Sequence, residues 1–377
     1  MIRPFDKPIY VTRPLLPSIP ALTERLQEVW DAQWLTNAGA QHEMLVGRLR
    51  TYLDVPEVSL YNNGTIALLA AVRALNMSGE VITTPFTFPA TPHAISWSGA
   101  EPVFCDIDPV MMTIDPVQVE SLITPRTTGI LAVHVYGIPC DVDALQAIAD
   151  RHGLKIVYDA AHAFGTRING VGIGNFGDAS MFSFHATKLF HTAEGGALTT
   201  KDASTRAALD HLKNFGILGQ DAVDIVGING KMNELQAALG LCVLDHVTEE
   251  LRRRRAIIAR YRERLGHVDG LTLMPEPQGV ESSLQYFVIR IDQRRFGRSR
   301  DDVFERLKTY NVLARKYFFP LCTDYDCYRS LPSAAPGRLP VASQVVSEVL
   351  CLPLYGTLGL EDVDAICDMI FEIQSHG

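Results

Sequence analysis

The chain has 377 residues, 47% of them hydrophobic and 20% charged, with a formal net charge of −9. That composition excludes a disordered chain, and the length exceeds what one hydrophobic core usually fills, so two domains are expected. The acidic balance argues against a nucleic-acid partner, although helix N-termini and a few basic side chains suffice for a phosphorylated ligand.

The N-terminal stretch MIRPFDKPIYVTRPLLP has no apolar leader, and no run of 18 or more apolar residues follows. A cytoplasmic protein with no membrane partner is expected. EVSLY (57–61) reads as a strand and GTIALLAAVRAL (64–75) as the helix after it. EVITT (80–84) is the next strand, followed by the loop PFTF and a helix near 89–97. PVFCDI (102–107) and GILAVHVY (129–136) read as strands, and DVDALQAIADRHG (141–153) as an amphipathic helix that stops at Gly153. LKIVYDA (154–160), ASMFSF (179–184) and GALTT (196–200) complete the series. Near-continuous apolar strands separated by helices predict a mostly parallel sheet covered on both faces.

Residues 231–265 then read as one long helix bridging two domains. LTLMPEP and SSLQYFVIRI follow as strands, and DDVFERLKTYN and LEDVDAICDMIFEIQS as helices. The expected fold class is α/β, with a large, mostly parallel-sheet domain over 1–245 and a smaller C-terminal α+β domain over 246–377. The seven cysteines (105, 140, 242, 322, 327, 351 and 367) form no CxxC pair, so free thiols and no metal site are expected. Arg252 to Arg255 is the one basic cluster, read as a solvated helix face.

Ligands of open α/β sheets bind beyond the carboxyl ends of the strands. Lys188 lies there, in apolar surroundings that lower an amine's basicity and favour a nucleophile. Asp159 ends an apolar strand. It is either the N-cap of a helix over AAHAF or the partner of a cation such as a protonated pyridine ring. His162, three residues on, shares its side if one helical turn follows, and the alternative is a satisfied core histidine. Gly64 and Thr65 open a helix directly after a strand, which suits a phosphate, and Ser183 adds a hydroxyl at the same sheet end. Phe88 either stacks on a flat ring or is a core aromatic. The lysine and the acid together point to pyridoxal 5′-phosphate (PLP) chemistry.

With these residues in hand, the sequence resembles the DegT/DnrJ/StrS family of sugar aminotransferases over nearly its whole length. The segments that carry the likeness are WLTNAG (34–39), NNGTIALLAAVRAL, EVITTPFTFPAT, GAEPVFCDID, VHVYGIPCDVDAL, YDAAHAFGT, SFHATKLFHTAEGGAL and LPLYGTL. The resemblance implies the fold-type I PLP architecture. It also implies that Lys188 is the Schiff-base lysine and proton shuttle, and that Asp159 pairs with the pyridine nitrogen. His162 would contact the ring oxygen, Phe88 would stack on the ring, and Gly64, Thr65 and Ser183 would hold the phosphate. Asn229 would reach the phosphate in a neighbouring subunit's site, which implies a homodimer with shared active sites. Lys188 argues against the branch of the family that replaces the lysine with histidine and dehydrates its substrate. Two departures from the pattern fall on the expected substrate side: Gly230-Lys231 where the family has an aromatic and an arginine, and Cys322 where it has a histidine.

The likeness is greatest to members acting on dTDP-4-keto-6-deoxy-D-glucose. The expected reaction moves an amino group from L-glutamate to C4 of that nucleotide-linked keto-sugar, for use in an O-antigen or related glycan. The alternatives are C3 amination of a related 3-keto-sugar and a PLP-binding regulatory protein without turnover. The absence of a basic helix-turn-helix segment weighs against the last.

Overall fold

A computed structural model describes residues 2–375. Two helices, α1 (Ile19–Ala32) and α2 (Ala40–Leu53), precede the main sheet. The sheet is built from β2 (Glu57–Tyr61), β3 (Glu80–Thr83), β4 (Glu101–Phe104), β5 (Thr127–Val133), β6 (Lys155–Asp159), β9 (Ala179–Ser183) and β10 (Gly196–Thr200). Their spatial order is β2-β10-β9-β6-β5-β3-β4. The strands from β4 across to β9 are parallel, and β10 runs antiparallel to both β9 and β2. The first residue of β10 therefore lies at the same sheet edge as the last residues of β6 and β9.

Successive strand residues face opposite sides of a sheet. Val81, Leu131, Val157, Met181 and Leu198 pack under α3 (Gly64–Ala74), α4 (Ala90–Trp97) and α7 (Ala203–Leu212). On the other side, Ile82, Ile130 and Ile156 meet α5 (Pro116–Ser121) and α6 (Val142–His152), and Val58, Leu60 and Phe182 meet α2 and α8 (Glu234–Leu244). Burial on both faces is why the parallel strands are apolar at nearly every position. Asp141 caps α6 by accepting from Ala144 N, and Gly153 ends it at φ 65°, the left-handed geometry that glycine tolerates.

The expected single helix over 231–265 is two. At Asp245 the chain turns, with His246 N donating to Val243 O, and α9 (Val247–Leu265) sets off anew. The expected strand over 129–136 ends at Val133, because Tyr136 takes a left-handed φ of 57°. The expected strand over 102–107 ends at Phe104.

The smaller unit is an antiparallel sheet of β13 (Leu271–Leu273), β15 (Phe287–Ile291) and β17 (Val349–Leu352), packed on α9 and on helices Arg300–Thr309 and Leu360–Ser375. Arg260 and Arg264 of α9 both pair with Asp364 of the last helix at 2.7 Å. The N-terminal segment belongs to this unit by contact. Its strand β1 (Ile9–Tyr10) pairs in parallel with β16 (Val312–Leu313), and Ile2, Phe5 and Ile9 join the unit's core. Two hairpins complete the strands: β7 (Arg167–Ile168) with β8 (Val171–Gly172), to which β14 (Val280–Glu281) adds, and β11 (Ile217–Gly219) with β12 (Ala222–Val223).

The basic cluster on α9 divides. Arg252 and Arg253 pair with Glu249 at the surface. Arg254 is 1% exposed, bonded to Glu250 at 2.7 Å and donating to Leu284 O at 3.2 Å, so this part of the cluster is no solvated face. Helical periodicity turns that one arginine inward while its neighbours face water. Among the described residues no helix is long and apolar enough to cross a membrane, and no group of three metal-ligating side chains occurs.

Candidate active site

The carboxyl edge of the sheet opens into a cavity of about 630 Å³, a volume typical of cofactor and substrate sites. Gly64, Thr65, Phe88, Asp159, His162, Ser183 and Lys188 all line it. They come from four separate segments, because the strand order brings the ends of β2, β3, β6 and β9 to one edge.

Lys188 follows β9 in a tight turn closed by Lys188 N donating to His185 O at 2.9 Å. Gln285 clamps that turn from both sides: Leu189 N donates to its Oε1 at 2.8 Å, and its Nε2 donates to Thr187 O at 3.0 Å. Enclosure by protein pulls the Lys188 ammonium down to about 8, and the Asp159 charge partly opposes that. An appreciable share of the amine is therefore neutral near physiological pH.

Asp159 is buried at the last position of β6. Its Oδ1 accepts from Ala161 N at 3.0 Å and its Oδ2 from Thr91 Oγ1 at 2.8 Å. Burial raises its carboxyl above the usual range, while Thr91, the Ala161 N–H and Lys188 pull it back. No helix follows. Residues 160–166 form a run of turns, with Ala163 N bonded to Ala160 O at 2.8 Å. The expected helical turn between Asp159 and His162 is thus absent, and the Ala161 contact is a local turn of the aspartate side chain. Both side chains reach the cavity all the same.

His162 accepts from Tyr136 N at its Nδ1, 3.2 Å away, so its proton sits on Nε2. Phe318 stacks on the imidazole with ring centroids 5.6 Å apart and planes 5° apart, and Tyr286 meets its edge at 5.1 Å. Burial lowers the imidazole's basicity well below its ordinary value and keeps it neutral.

Opposite, α3 begins at Gly64, capped by Asn63 Oδ1 accepting from Ile66 N at 2.8 Å. First-turn N–H groups have no intrahelical acceptor, and Gly64 and Thr65 both line the cavity. The helix end is pressed onto the sheet edge. A Cβ on Gly64 would lie 3.2 Å from Ser183 Cβ, and one on Gly196 would lie 2.8 Å from the Gly64 nitrogen. Phe88 is 58% exposed at the cavity rim, which rules out the core-aromatic reading.

Three residues placed near the site by the sequence lie outside this cavity. Asn229 is exposed and bridges Asn214. Lys231 donates to Asn214 Oδ1 at 2.6 Å and sits over the Phe215 ring. Cys322 is fully buried, its Sγ donating to Thr87 O at 3.3 Å, with its thiol pushed up to about 12 by burial. A small apolar thiol packs there into the core behind the cavity wall, and neither it nor Lys231 lines the cavity of its own chain.

Several lining residues escaped the sequence reading. Thr87, Tyr286, Tyr317 and Phe318 face the cavity, and Gln285 and Thr91 stand directly behind it. The segment SSLQYF reads as the start of a strand. Its role as a wall appears only when β15 of the smaller unit packs beside β17. The four-residue spacing of Thr87 and Thr91 at a helix start was the one local signal available.

Fold and site together define a class: an α/β enzyme with a lysine amine and a buried carboxylate in one cavity at the carboxyl edge of its sheet. The sequence pattern of the DegT/DnrJ/EryC1/StrS aminotransferase family matches residues 19–371, and the chain belongs to that family. It is 44% identical over 368 residues to the dTDP-4-amino-4,6-dideoxy-D-glucose transaminase of Escherichia coli, covering 97% of this chain and 98% of that protein. The crystal structure of DesI in the presence of its TDP-sugar product superposes with a TM-score of 0.95 at 38% identity, covering 100% of this chain and 95% of the other. The PMP-form of the putative sugar aminotransferase Spr1654 from Streptococcus pneumoniae gives 0.88 at 25% identity, over 97% and 99% of the two chains.

Proposed function

We propose that this protein is a PLP-dependent aminotransferase that moves the amino group of L-glutamate to C4 of dTDP-4-keto-6-deoxy-D-glucose. The observation that carries the reading is Lys188, an amine held near a pKa of about 8, in one cavity with the buried Asp159 carboxylate. The 44% identity to a transaminase named for the 4-amino sugar supports the substrate.

The residues fit PLP. The α3 N-terminus and Ser183 form a close cradle in which a Cβ at Gly64 would lie 3.2 Å from Ser183 Cβ, which suits a phosphate. Among the described residues no cation is bonded to the buried Asp159 carboxylate, and a protonated pyridine nitrogen is such a partner. His162 presents Nε2–H to the cavity as a donor for the ring oxygen, and Phe88 at the rim is placed to cover the ring. When bound, PLP supplies the electron sink that lets a proton leave the carbon bearing the nitrogen.

Lys188 accepts that proton from the donor's Cα and later returns one to the sugar carbon that receives the nitrogen. Gln285 fixes the lysine's backbone so that one amine serves both half-reactions. Tyr286, Tyr317 and Phe318 wall the cavity and exclude water from the reacting atoms. Asn229, exposed and outside its own cavity, is assigned to a second subunit's phosphate, which makes the working form a homodimer.

The test is a spectral titration of purified protein with PLP, then L-glutamate, then the keto-sugar, with the product's amino position read by NMR. A visible band that glutamate bleaches and the sugar restores, with nitrogen at C4, is the expected result. A band that the sugar fails to restore refutes the substrate, and nitrogen at C3 refutes the regiochemistry. No band refutes the cofactor.

A further inference from the structure

The hydroxyls of Thr87 and Thr91 form a short chain that ends on Asp159. Thr91 Oγ1 is 2.8 Å from Asp159 Oδ2 and 3.0 Å from Thr87 Oγ1. A threonine hydroxyl has one proton, and beside an acceptor-only carboxylate that proton is committed to the carboxylate. The Thr87 hydroxyl must then donate to Thr91. The chain has a single direction, Thr87 to Thr91 to Asp159, and each donor strengthens the next.

Both threonines are buried, at 2% and 0% exposure, and Thr91 itself does not line the cavity. Its methyl and hydroxyl are held by α4, whose first turn carries Thr91 N donating to Phe88 O at 3.2 Å. The same short segment therefore places Phe88 at the rim, Thr87 on the wall and Thr91 against the carboxylate. With Ala161 N–H on Oδ1 and Thr91 on Oδ2, the plane of the carboxylate is set from both sides.

We infer that Thr91, supported by Thr87, is a positioning residue that keeps Asp159 ionised and aimed at the ring nitrogen of the cofactor. This rests on the PLP reading above. The titratable groups coupled to Asp159 are Lys188 across the cavity and Cys140 behind it, and His162 beside it is held neutral by burial. None of the three donates to the carboxylate, so the hydroxyl chain and the Ala161 amide carry its hydrogen bonding.

Thr91→Val keeps the shape and removes the donor, whereas Thr91→Ser keeps the donor and removes the methyl. Without the donor, Asp159 becomes more basic and draws the proton from the ring nitrogen. The ring then withdraws less charge from the Lys188 nitrogen, which holds its proton to higher pH. Thr91→Val is expected to move the pH titration of the visible band of the PLP-loaded protein upward. It should also weaken PLP binding to apoprotein and lower kcat by roughly 10- to 100-fold, the range for losing a hydrogen bond to a charged group. Thr91→Ser should restore all three, and the melting temperature of apo Thr91→Val should fall by no more than the loss of one buried hydrogen bond accounts for. Thr87→Val should give a smaller shift of the same sign, and it stands in if Thr91→Val does not fold.

An unshifted band in Thr91→Val, with wild-type PLP affinity, overturns the proposal while leaving the cofactor reading intact. Equal damage in Thr91→Ser and Thr91→Val, tracking a loss of melting temperature, assigns Thr91 to packing and also overturns it. A wild-type protein that shows no visible band with PLP removes the cofactor reading, and this inference with it.

Discussion

Replacing Gln285 by leucine should loosen the turn that carries Lys188 without touching any of the proposed reacting groups. Gln285 is 2% exposed and makes two hydrogen bonds across 98 and 96 residues of sequence, to Thr187 O and Leu189 N. Leucine has nearly the same volume and neither polar atom. The Leu189 N–H is left buried without an acceptor, at about 1–3 kcal/mol, and the loss of the bond to the half-buried Thr187 carbonyl adds roughly 0.5–1.5 kcal/mol. The sum, about 1.5–4.5 kcal/mol, is a large share of a typical domain's stability. Urea unfolding of the apoprotein should show it as a lower midpoint at unchanged slope. A displacement of the amine by about 1 Å costs roughly 100-fold in turnover, so kcat should fall by that order while KM for the nucleotide sugar stays near wild type. Gln285→Glu keeps an acceptor for Leu189 N but adds a negative charge next to Lys188. It should raise the pH at which the amine titrates from its present value of about 8. If Gln285→Leu keeps wild-type stability and turnover, the lysine turn holds itself and the clamp argument is wrong.

Lys188 carries a folded pKa of about 8 against an ordinary 10.5, so between these values the unfolded chain binds more protons and stability rises with pH. Measured against Lys188→Met, wild-type apoprotein should therefore gain stability from pH 8 to 10.5, and a flat difference in chemical denaturation would refute the depressed value. Gly196→Ala places a Cβ 2.8 Å from the backbone of Asn63 and Gly64. It should push α3 off the sheet edge, destabilise the fold by about 1–3 kcal/mol and weaken PLP binding more than binding of phosphate-free pyridoxal, as read by fluorescence titration. Arg254→Ala strands the buried Glu250, which also accepts from Gly356 N, and should cost about 3–5 kcal/mol in a melt. The double replacement of Glu250 and Arg254 by leucine should cost less than that single change.

Much of the fold was legible because its signals are local. Runs such as EVSLY and LKIVYD are mostly apolar, helices such as 142–152 carry their own caps, and Gly153 announces its own stop. The ends of those strands located seven of the eight expected site residues in one cavity. The readings that failed were also local ones. Helical periodicity runs unbroken through 231–265, and nothing in the pattern marks the turn at Asp245. The same periodicity made Arg252 to Arg255 look like one solvated face, although Arg254 is turned into the interior. Cys322, expected near the substrate side, packs with its thiol against Thr87 O, directly behind the cavity lining.

The sequence by itself determined the alternation of strand and helix, the sheet edge where ligands sit and the chemical kinds of residue gathered there. Each of these is written in a contiguous stretch of chain, through hydrophobic period, capping residues and the side chain that follows a strand. Tertiary structure alone decided that β10 runs against its neighbours, since a buried strand has the same pattern in either direction. It alone placed Gln285 on the lysine turn, Tyr136 N on His162 and Thr91 on Asp159. These contacts join residues 26 to 98 positions apart. They exist only after the strand order is set, because a hydrogen bond has direction and a reach of about 3 Å, and neither is encoded in the spacing of residues along the chain.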